Sequence, residues 1–304
     1  VGYASCHWCH VMAHESFENL DTAKIMNKKF INIKVDREER PDLDFIFQKS
    51  LAILTGAQGG WPLSIFLDEN GVPFTGGTYF PPIESHGRPS FNLVLENVAK
   101  VYSENREKII SQKSQMELVF KELNQKTAVL KQDLEPFVER IITYLDDENG
   151  GFKGAPKFPQ FYIFDTIFYF YTKNKNKKFF SVVEKLLLNV SSKGIYDHLE
   201  GGIARYTVDD KWVVPHFEKM LYDNILYVNL LNQFIHKSNN DYFKSKLIQT
   251  INFINIEFKS KDNFLGSAYD ADSEGIEGKY YVWKFDELKN ILNNDLELFE
   301  KKYV

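Results

Sequence analysis

Ser5-Cys6-His7-Trp8-Cys9-His10 and, further along, Gly59-Gly60-Trp61-Pro62-Leu63-Ser64-Ile65-Phe66-Leu67 are the stretches whose reading decides the fold. The 304-residue chain has two cysteines, Cys6 and Cys9, and both lie in this one CxxC. That excludes a disulfide scaffold and leaves a redox pair, half of a metal site or a haem attachment. The motif opens a predicted helix over 6–18. Unpaired amides and the dipole at a helix N-terminus favour an anion. A thiolate there forms more readily and can attack a disulfide at neutral pH. Two intervening residues let one helical turn bring both sulfurs into bonding range. Cys6, the more N-terminal and the more exposed, is the expected attacking thiol, and Cys9 is expected to resolve the mixed disulfide. A cationic His7 would stabilise the thiolate further. Three readings compete. Cys6-x-x-Cys9-His10 also fits a c-type haem attachment, the cysteines with His7, His10 or His14 fit part of a zinc site, and two unreactive thiols would simply pack in a core. The redox reading requires no cofactor and no metal.

On the C-terminal side of the motif, Asp21 is the expected N-cap of a helix through Lys29. Phe30-Ile-Asn-Ile-Lys-Val-Asp36 alternates as a strand does. The charged loop Arg37-Glu-Glu-Arg-Pro-Asp42 leads into a predicted helix over 43–54, and Gly56 and Gly59-Gly60 break the chain. Leu63–Leu67 reads as a strand, Asn70-Gly71 as a hairpin turn, and Phe74 to Phe80 as the partner strand. This is an α/β layout with a mixed sheet. A long polar helix over 90–124 ends this first domain or bridges to a second.

Composition agrees with folded, water-exposed domains: 43% apolar and 26% charged, with a net charge of −5. No basic excess exists for a phosphate backbone, so nucleic acid is not an expected partner. Aromatic residues reach 15%. The most apolar run, Phe161 to Tyr171, is shorter than the roughly 20 residues a bilayer span needs; no membrane association is expected. After about residue 130 helices dominate, near 134–146, 159–173, 177–193, 215–237, 240–259 and 285–301. Gly-rich or hairpin connections at 149–158, 194–214 and 262–284 separate them, and such helical pairs suggest an α/α toroid. The helix at 215–237 is apolar on nearly every face, which predicts burial all round. Its first turns nevertheless carry His216, Glu218, Lys219 and Asp223, and buried charges need partners or water.

Gly59-Gly60-Trp61-Pro62 ahead of a strand resembles the thioredoxin fold, in which a cis-proline packs against the CxxC pair. The resemblance implies a cis Trp61–Pro62 bond, with Pro62 shaping the substrate groove. Longer motifs extend the likeness. Gly2-Tyr3-Ala-Ser-Cys-His-Trp-Cys-His-Val-Met12, Glu15-Ser-Phe-Glu18, Lys34-Val-Asp-Arg-Glu-Glu-Arg-Pro-Asp42, Gly59-Gly-Trp-Pro-Leu63 and Gly76-Gly-Thr-Tyr-Phe-Pro81 cover the first part. Gly154-Ala-Pro-Lys-Phe-Pro159, Val214-Pro-His-Phe-Glu-Lys-Met-Leu-Tyr-Asp-Asn224 and Asp270-Ala-Asp-Ser-Glu-Gly275 cover the rest. Together they resemble the spermatogenesis-associated protein 20 / DUF255 (thioredoxin-like DsbH) family. The resemblance implies an α/β thioredoxin-like domain at 1–125, lacking its usual first strand and helix. An all-α toroid domain at 126–304 is implied to come after it, similar to six-hairpin glycosidases and N-acylglucosamine 2-epimerases. Glu200 departs from the glycine expected in Asp197-His-Leu-Glu-Gly-Gly202. A closed toroid of six hairpins has more helices than this stretch supplies, so an open, incomplete barrel is expected.

The mouth of such a toroid should collect Lys157, His198, Arg205, Tyr206, Trp212, His216, Glu218, Asp223, Asp270, Asp272 and Glu274. His216 is the expected general acid/base, with a pKa near neutrality. Asp270 or Asp272 would orient it, and Trp212 and Tyr206 would stack on a sugar face. Asp270-x-Asp272-x-Glu274-Gly275 fails as a calcium loop, because Tyr281 stands where a bidentate Glu is required. His86 and His236 read as surface residues. The expected partners are a protein thiol or disulfide, or a small carbohydrate. The chain starts at Val1 and its motif comes almost at once, so a missing N-terminus is expected, and the cytoplasm is the expected location.

Overall fold

Val1–Tyr3 lie at the centre of the first sheet in a computed structural model that describes residues 1–85, 87–107, 109, 116, 120–121 and 134–303. Val1 and Leu63 exchange both backbone hydrogen bonds, at 2.6 and 2.8 Å. On the other side Gly2 N donates to Val35 O and Arg37 N donates to Gly2 O, a parallel bridge between Gly2 and Asp36. Leu63 leads into β1 (Ser64–Leu67), which pairs antiparallel with β2 (Pro73–Gly77), Ser64 opposite Gly77 and Phe66 opposite Thr75. Between them Gly71 takes φ 78°, and Asp68 Oδ1 accepts from Asn70 N and Val72 N, a turn built from side-chain to backbone bonds. Of the expected mixed sheet, the β1–β2 hairpin forms a regular ladder, and the segments at 1–3 and 35–37 join beside it only through an isolated parallel bridge and the Val1–Leu63 hydrogen bonds. Phe30–Val35 forms no ladder, however. Only its end meets Gly2, and Ile31 and Ile33 face solvent; an alternating pattern becomes a strand only where a neighbour takes its hydrogen bonds.

The pleat of β1 sends alternate side chains to opposite faces. Leu63, Ile65 and Leu67 pack with Phe47, Leu51 and Leu43 of α3 (Pro41–Thr55). Phe66 packs on the other face, with Phe30, Phe74 and Val98 and with Met12, Phe91 and Leu95. Met12 ends α1 (His7–Met12), which continues as a π-turn over Ala13–Phe17. The helix after it, α2, runs Leu20–Lys29 and is capped by Asn19, whose side chain accepts from Asp21 N and Thr22 N; Asp21 itself lies in the first turn. Phe91 and Leu95 belong to α4 (Phe91–Glu104). The expected helix over 90–124 is interrupted at Asn105; the described residues after it, 106–107, 109, 116 and 120–121, are helical, and the rest lie outside the described residues. The chain divides into two compact units, Val1–Leu134 and Glu135–Val304; the expected boundary at 125/126 also falls outside the described residues, as does His86.

The second unit is largely helical. Its elements are α5 (Glu135–Ile142), α6 (Phe161–Asn174), α7 (Lys177–Ser192), α8 (Leu221–Ser238), α9 (Asp241–Glu257), α10 (Phe285–Leu292) and α11 (Leu296–Tyr303). In α6 the residues Phe161, Phe164, Ile167 and Phe168 are buried while Tyr162 and Tyr169 are exposed, so the most apolar run of the chain is an amphipathic helix. They join Phe179, Leu186 and Val190 of α7 and Tyr227, Leu231 and Phe234 of α8 in one core. Helix α8 is shorter than the predicted 215–237 and is not buried all round. Asn224, Tyr227, Leu230, Leu231 and Phe234 face inward, while Tyr222 and Ile225 are exposed. The two residues before it form β3 (Lys219–Met220), which pairs with β4 (Ala268–Tyr269). A second small hairpin joins β5 (Asp272–Ser273) to β6 (Ile276–Glu277). The last predicted helix is interrupted at Asn293, whose φ is 45°. Glu200 does not disturb its loop, because the left-handed positions there are Gly201 (φ 95°) and Gly202 (φ 81°).

Candidate functional site

Cys6 and Cys9 form a disulfide with their Cα atoms 5.2 Å apart. Cys6 is the N-cap of α1, and its Sγ accepts from Cys9 N at 3.2 Å. Contrary to expectation, Cys6 is only 4% exposed: as N-cap it is drawn under the first turn, with its amide on Tyr3 O. The Trp61–Pro62 bond is cis, as the resemblance implied, and Pro62 is buried. With Val1 opposite Leu63, the antiparallel register sets Gly2 opposite Pro62 and Tyr3 opposite Trp61, whose rings meet edge to face at 5.8 Å. A Cβ on Gly2 would lie 2.9 Å from Cys9 Sγ. Gly2 thus follows the residue paired with Leu63 and itself lies close against Cys9 Sγ.

The proline loop is anchored from α3. Trp61 Nε1 donates to Asp44 Oδ1 at 2.8 Å, and Gln48 Nε2 donates to Gly60 O at 3.2 Å. The Arg37 guanidinium lies 4.1 Å from the Trp61 ring centre and 5.1 Å from that of Tyr3, a cation–π clamp. This gives the charged motif at 34–42 a structural role. His10 Nε2 sits 2.7 Å from Ala4 O and so carries the proton toward a backbone carbonyl. Among the described residues no group of three or more His, Cys, Asp or Glu side chains could hold a metal ion.

In the second unit the predicted cluster divides. His216 Nδ1 lies 2.7 Å from Glu277 Oε1, and its ring stacks on Tyr206 at 4.6 Å, which stacks in turn on Phe158 at 4.6 Å. Glu218, 1% exposed, pairs with Arg205 at 3.4 Å. Burial first, then the charges of Glu218 and Glu277, push the Tyr206 hydroxyl up to about 12, so it remains protonated. Between His216 and Glu218 the chain makes a tight turn: Glu218 N donates to His216 O at 2.7 Å across Phe217, whose φ is 58°. A γ-turn with positive φ is rare and strained, and Phe217 is held in it by stacking on Tyr281.

The other predicted residues take different places. Trp212 is not a sugar platform. It is fully buried, and Nε1 donates to Asn149 O at 2.9 Å. Lys157 lies over its ring, donating to Asp146 Oδ2 at 2.6 Å and Asp210 O at 2.9 Å. His198 sits with Nε2 3.1 Å from Lys193 O. Asp223 is in the first turn of α8. Asp270 Oδ1 accepts from Asp272 N, Asp272 is the cross-strand partner of Glu277, and Glu274 is an exposed turn residue paired with Lys279. Glu277, which the sequence did not single out, is thus a carboxylate partner of His216. Reading Glu274-Gly275, both at positive φ, as a two-residue hairpin loop would have set Glu277 across from Asp272.

Residues 1–121 match the family model Thioredox_DsbH, described as a protein of unknown function, DUF255. These residues belong to the DUF255 family. The chain is 35% identical to the uncharacterized protein B0495.5 of Caenorhabditis elegans over 97% of its own length and 42% of that protein's. It is 32% identical to human spermatogenesis-associated protein 20 over 96% of its own length and 39% of that protein's. It thus spans about two-fifths of the curated relatives it matches. Among solved structures, a sugar epimerase from a ruminal bacterium aligns with TM-score 0.40 and 18% identity over 46% of this chain and 38% of that one. Cellobiose 2-epimerase from Bacillus thermoamylovorans B4167 aligns with TM-score 0.38 and 17% identity over 55% and 56%. Likeness at that level carries no functional argument. No helix among the described residues is long and apolar enough to cross a membrane.

Proposed function

We propose that this DUF255 chain performs thiol–disulfide exchange at Cys6 and Cys9, on a thioredoxin-like domain spanning 1–125, with Pro62 shaping the groove for a protein disulfide. The observation that carries the reading is Gly2: its neighbour Val1 pairs with Leu63, directly after the cis Trp61–Pro62 bond, and its own Cβ position lies 2.9 Å from Cys9 Sγ. In the reduced protein the Cys6 thiolate attacks one sulfur of the partner's disulfide. That S–S bond breaks, and the departing sulfur leaves with the electron pair as a thiolate. Cys9, once deprotonated, attacks Cys6 and releases the second partner thiolate. Two electrons pass to the partner, and the chain ends as the disulfide. The Cys9 amide aimed at Cys6 Sγ supports the Cys6 thiolate, since hydrogen bonds to an ionised acceptor are the stronger ones. A reducing role suits the cytoplasm, where thiols are kept reduced. Insulin reduction driven by dithiothreitol tests the proposal. Wild-type protein should accelerate it, Cys6→Ser should not, and Cys9→Ser should accumulate a mixed disulfide with the substrate. A wild-type rate no higher than that of Cys6→Ser overturns it.

A second reading assigns a small carbohydrate to the unit beyond residue 126, as a partial α/α toroid of six-hairpin type. The His216–Glu277 pair favours it. A carboxylate on Nδ1 fixes the orientation of an imidazole, as general acid/base work requires, and the backbone strain at Phe217 is of the kind that gathers at functional sites. Titration with D-glucose, D-mannose and N-acetylglucosamine, monitored by NMR, should show binding of at least one sugar and its loss in His216→Ala. If none of the three binds, or if His216→Ala binds as wild type does, this second reading is discarded.

A further inference from the structure

Of the two side chains between the cysteines, His7 and Trp8, the indole of Trp8 is 47% exposed. Its ring meets Tyr79 at 5.1 Å and His7 at 5.8 Å, both at steep interplanar angles. Tyr79 lies along one face of the α1 region: its ring is on Trp8, and its hydroxyl donates to Glu15 Oε2 seven residues further on. Seven residues are close to two helical turns, so Trp8 and Glu15 share that face and Tyr79 splints it. Arg88 Nη1 donates to Tyr79 O and fixes the backbone behind the ring. Burial first, then Glu15, push the Tyr79 hydroxyl up to about 12, so the splint persists at any physiological pH. A large apolar ring held half-exposed costs free energy that burial against another apolar surface would recover.

We propose that Trp8, braced by Tyr79 and Glu15, is a specificity-determining surface that selects protein disulfides whose cysteine is flanked by bulky apolar residues. The inference rests on the exchange reaction proposed above. That reaction brings a partner sulfur to bonding distance of this cysteine pair. Trp8 precedes Cys9 directly, so the residues beside the partner's cysteine come within a side chain's reach of the indole. The neighbouring carboxylate of Glu15 accepts no acidic neighbour, which sets the preference against Glu- or Asp-flanked cysteines.

Three peptides, each supplied as its symmetrical disulfide, test this: Gly-Leu-Cys-Leu-Gly, Gly-Gly-Cys-Gly-Gly and Gly-Glu-Cys-Glu-Gly. Second-order exchange rates with the reduced full chain are divided by the rates with dithiothreitol, which removes the intrinsic reactivity of each peptide. The Leu peptide should react about tenfold faster than the Gly peptide, the effect of burying a few tens of Å² of apolar surface. The Glu peptide should be slowest. Trp8→Ala should bring the Leu and Gly rates together, and Tyr79→Phe, which keeps the ring and loses the Glu15 bond, should reduce the ratio partway. Trp8→Gln, a helix-compatible replacement, serves if the alanine variant does not fold. Equal normalised rates for the Leu and Gly peptides overturn the inference, as does a preference that survives loss of Trp8. So does concentration-dependent self-association that Trp8→Ala abolishes without any peptide preference. Exchange with none of the peptides would instead remove the reading on which it depends.

Discussion

Lys219 is buried in the second unit with its ammonium 2.8 Å from Asp197 Oδ2 and 3.1 Å from Gly201 O. The faces of Phe253 and Tyr281 lie 4.3 and 5.0 Å from it. Burial alone would raise the Asp197 carboxyl, but the Lys219 charge and hydrogen bond and the amides of Glu200 and Leu199 outweigh it and hold the group below its ordinary value. The unfolded carboxyl binds its proton near pH 3.9 and the folded one only at lower pH. The stabilisation is thus complete above that point and lost as pH falls through the folded value. Asp146, held low against burial by Lys157 and by the amides of Asn149 and Glu148, acts in the same direction. Guanidinium denaturation between pH 7 and pH 3 should show stability falling below about pH 4. Asp197→Asn, which leaves Lys219 buried without its carboxylate, should cost about 3–5 kcal/mol at pH 7 and lose less on further acidification. An unchanged acid slope in the variant would refute this assignment.

At the scale of elements, the β5–β6 hairpin and the turn at Phe217 support one another. Gly278 comes just after β6 at φ 71°, and a Cβ there would lie 2.5 Å from the Phe217 ring. Gly278 N donates to Ala271 O, which closes the base of the hairpin. The same hairpin carries Glu277 to His216. Gly278→Ala should therefore cost about 1–3 kcal/mol and raise amide exchange across 272–277 before global unfolding. Wild-type exchange in that hairpin would show that the close approach to Phe217 does not hold it. The α1 region has a comparable coupling, since Gly2 leaves room for Cys9 Sγ on the strand beside Pro62.

For the whole molecule, the two units were legible to different depths. The N-terminal elements were readable because β1 alternates on a period of two, because Asn70-Gly71 marks a turn, and because the CxxC and the Trp-Pro motif carry their chemistry in adjacent residues. Phe30–Val35 had the pattern of a strand without a neighbour along its length. In the C-terminal unit the helices from Phe161 to Glu257 matched their apolar periodicity, but the start of α8 did not. Val214–Glu218 stays outside the helix and Lys219–Met220 forms β3, which pairs with residues far along the chain, and no local propensity encodes that pairing. Sequence alone therefore determined what is local: the helices, the hairpin turn and the cysteine pair with its later proline. Tertiary structure decided which polar groups meet. Trp212 and Lys157 became a buried brace, and Glu277, far along the chain, reached His216, because a buried charge takes whichever partner the completed packing brings within hydrogen-bond distance.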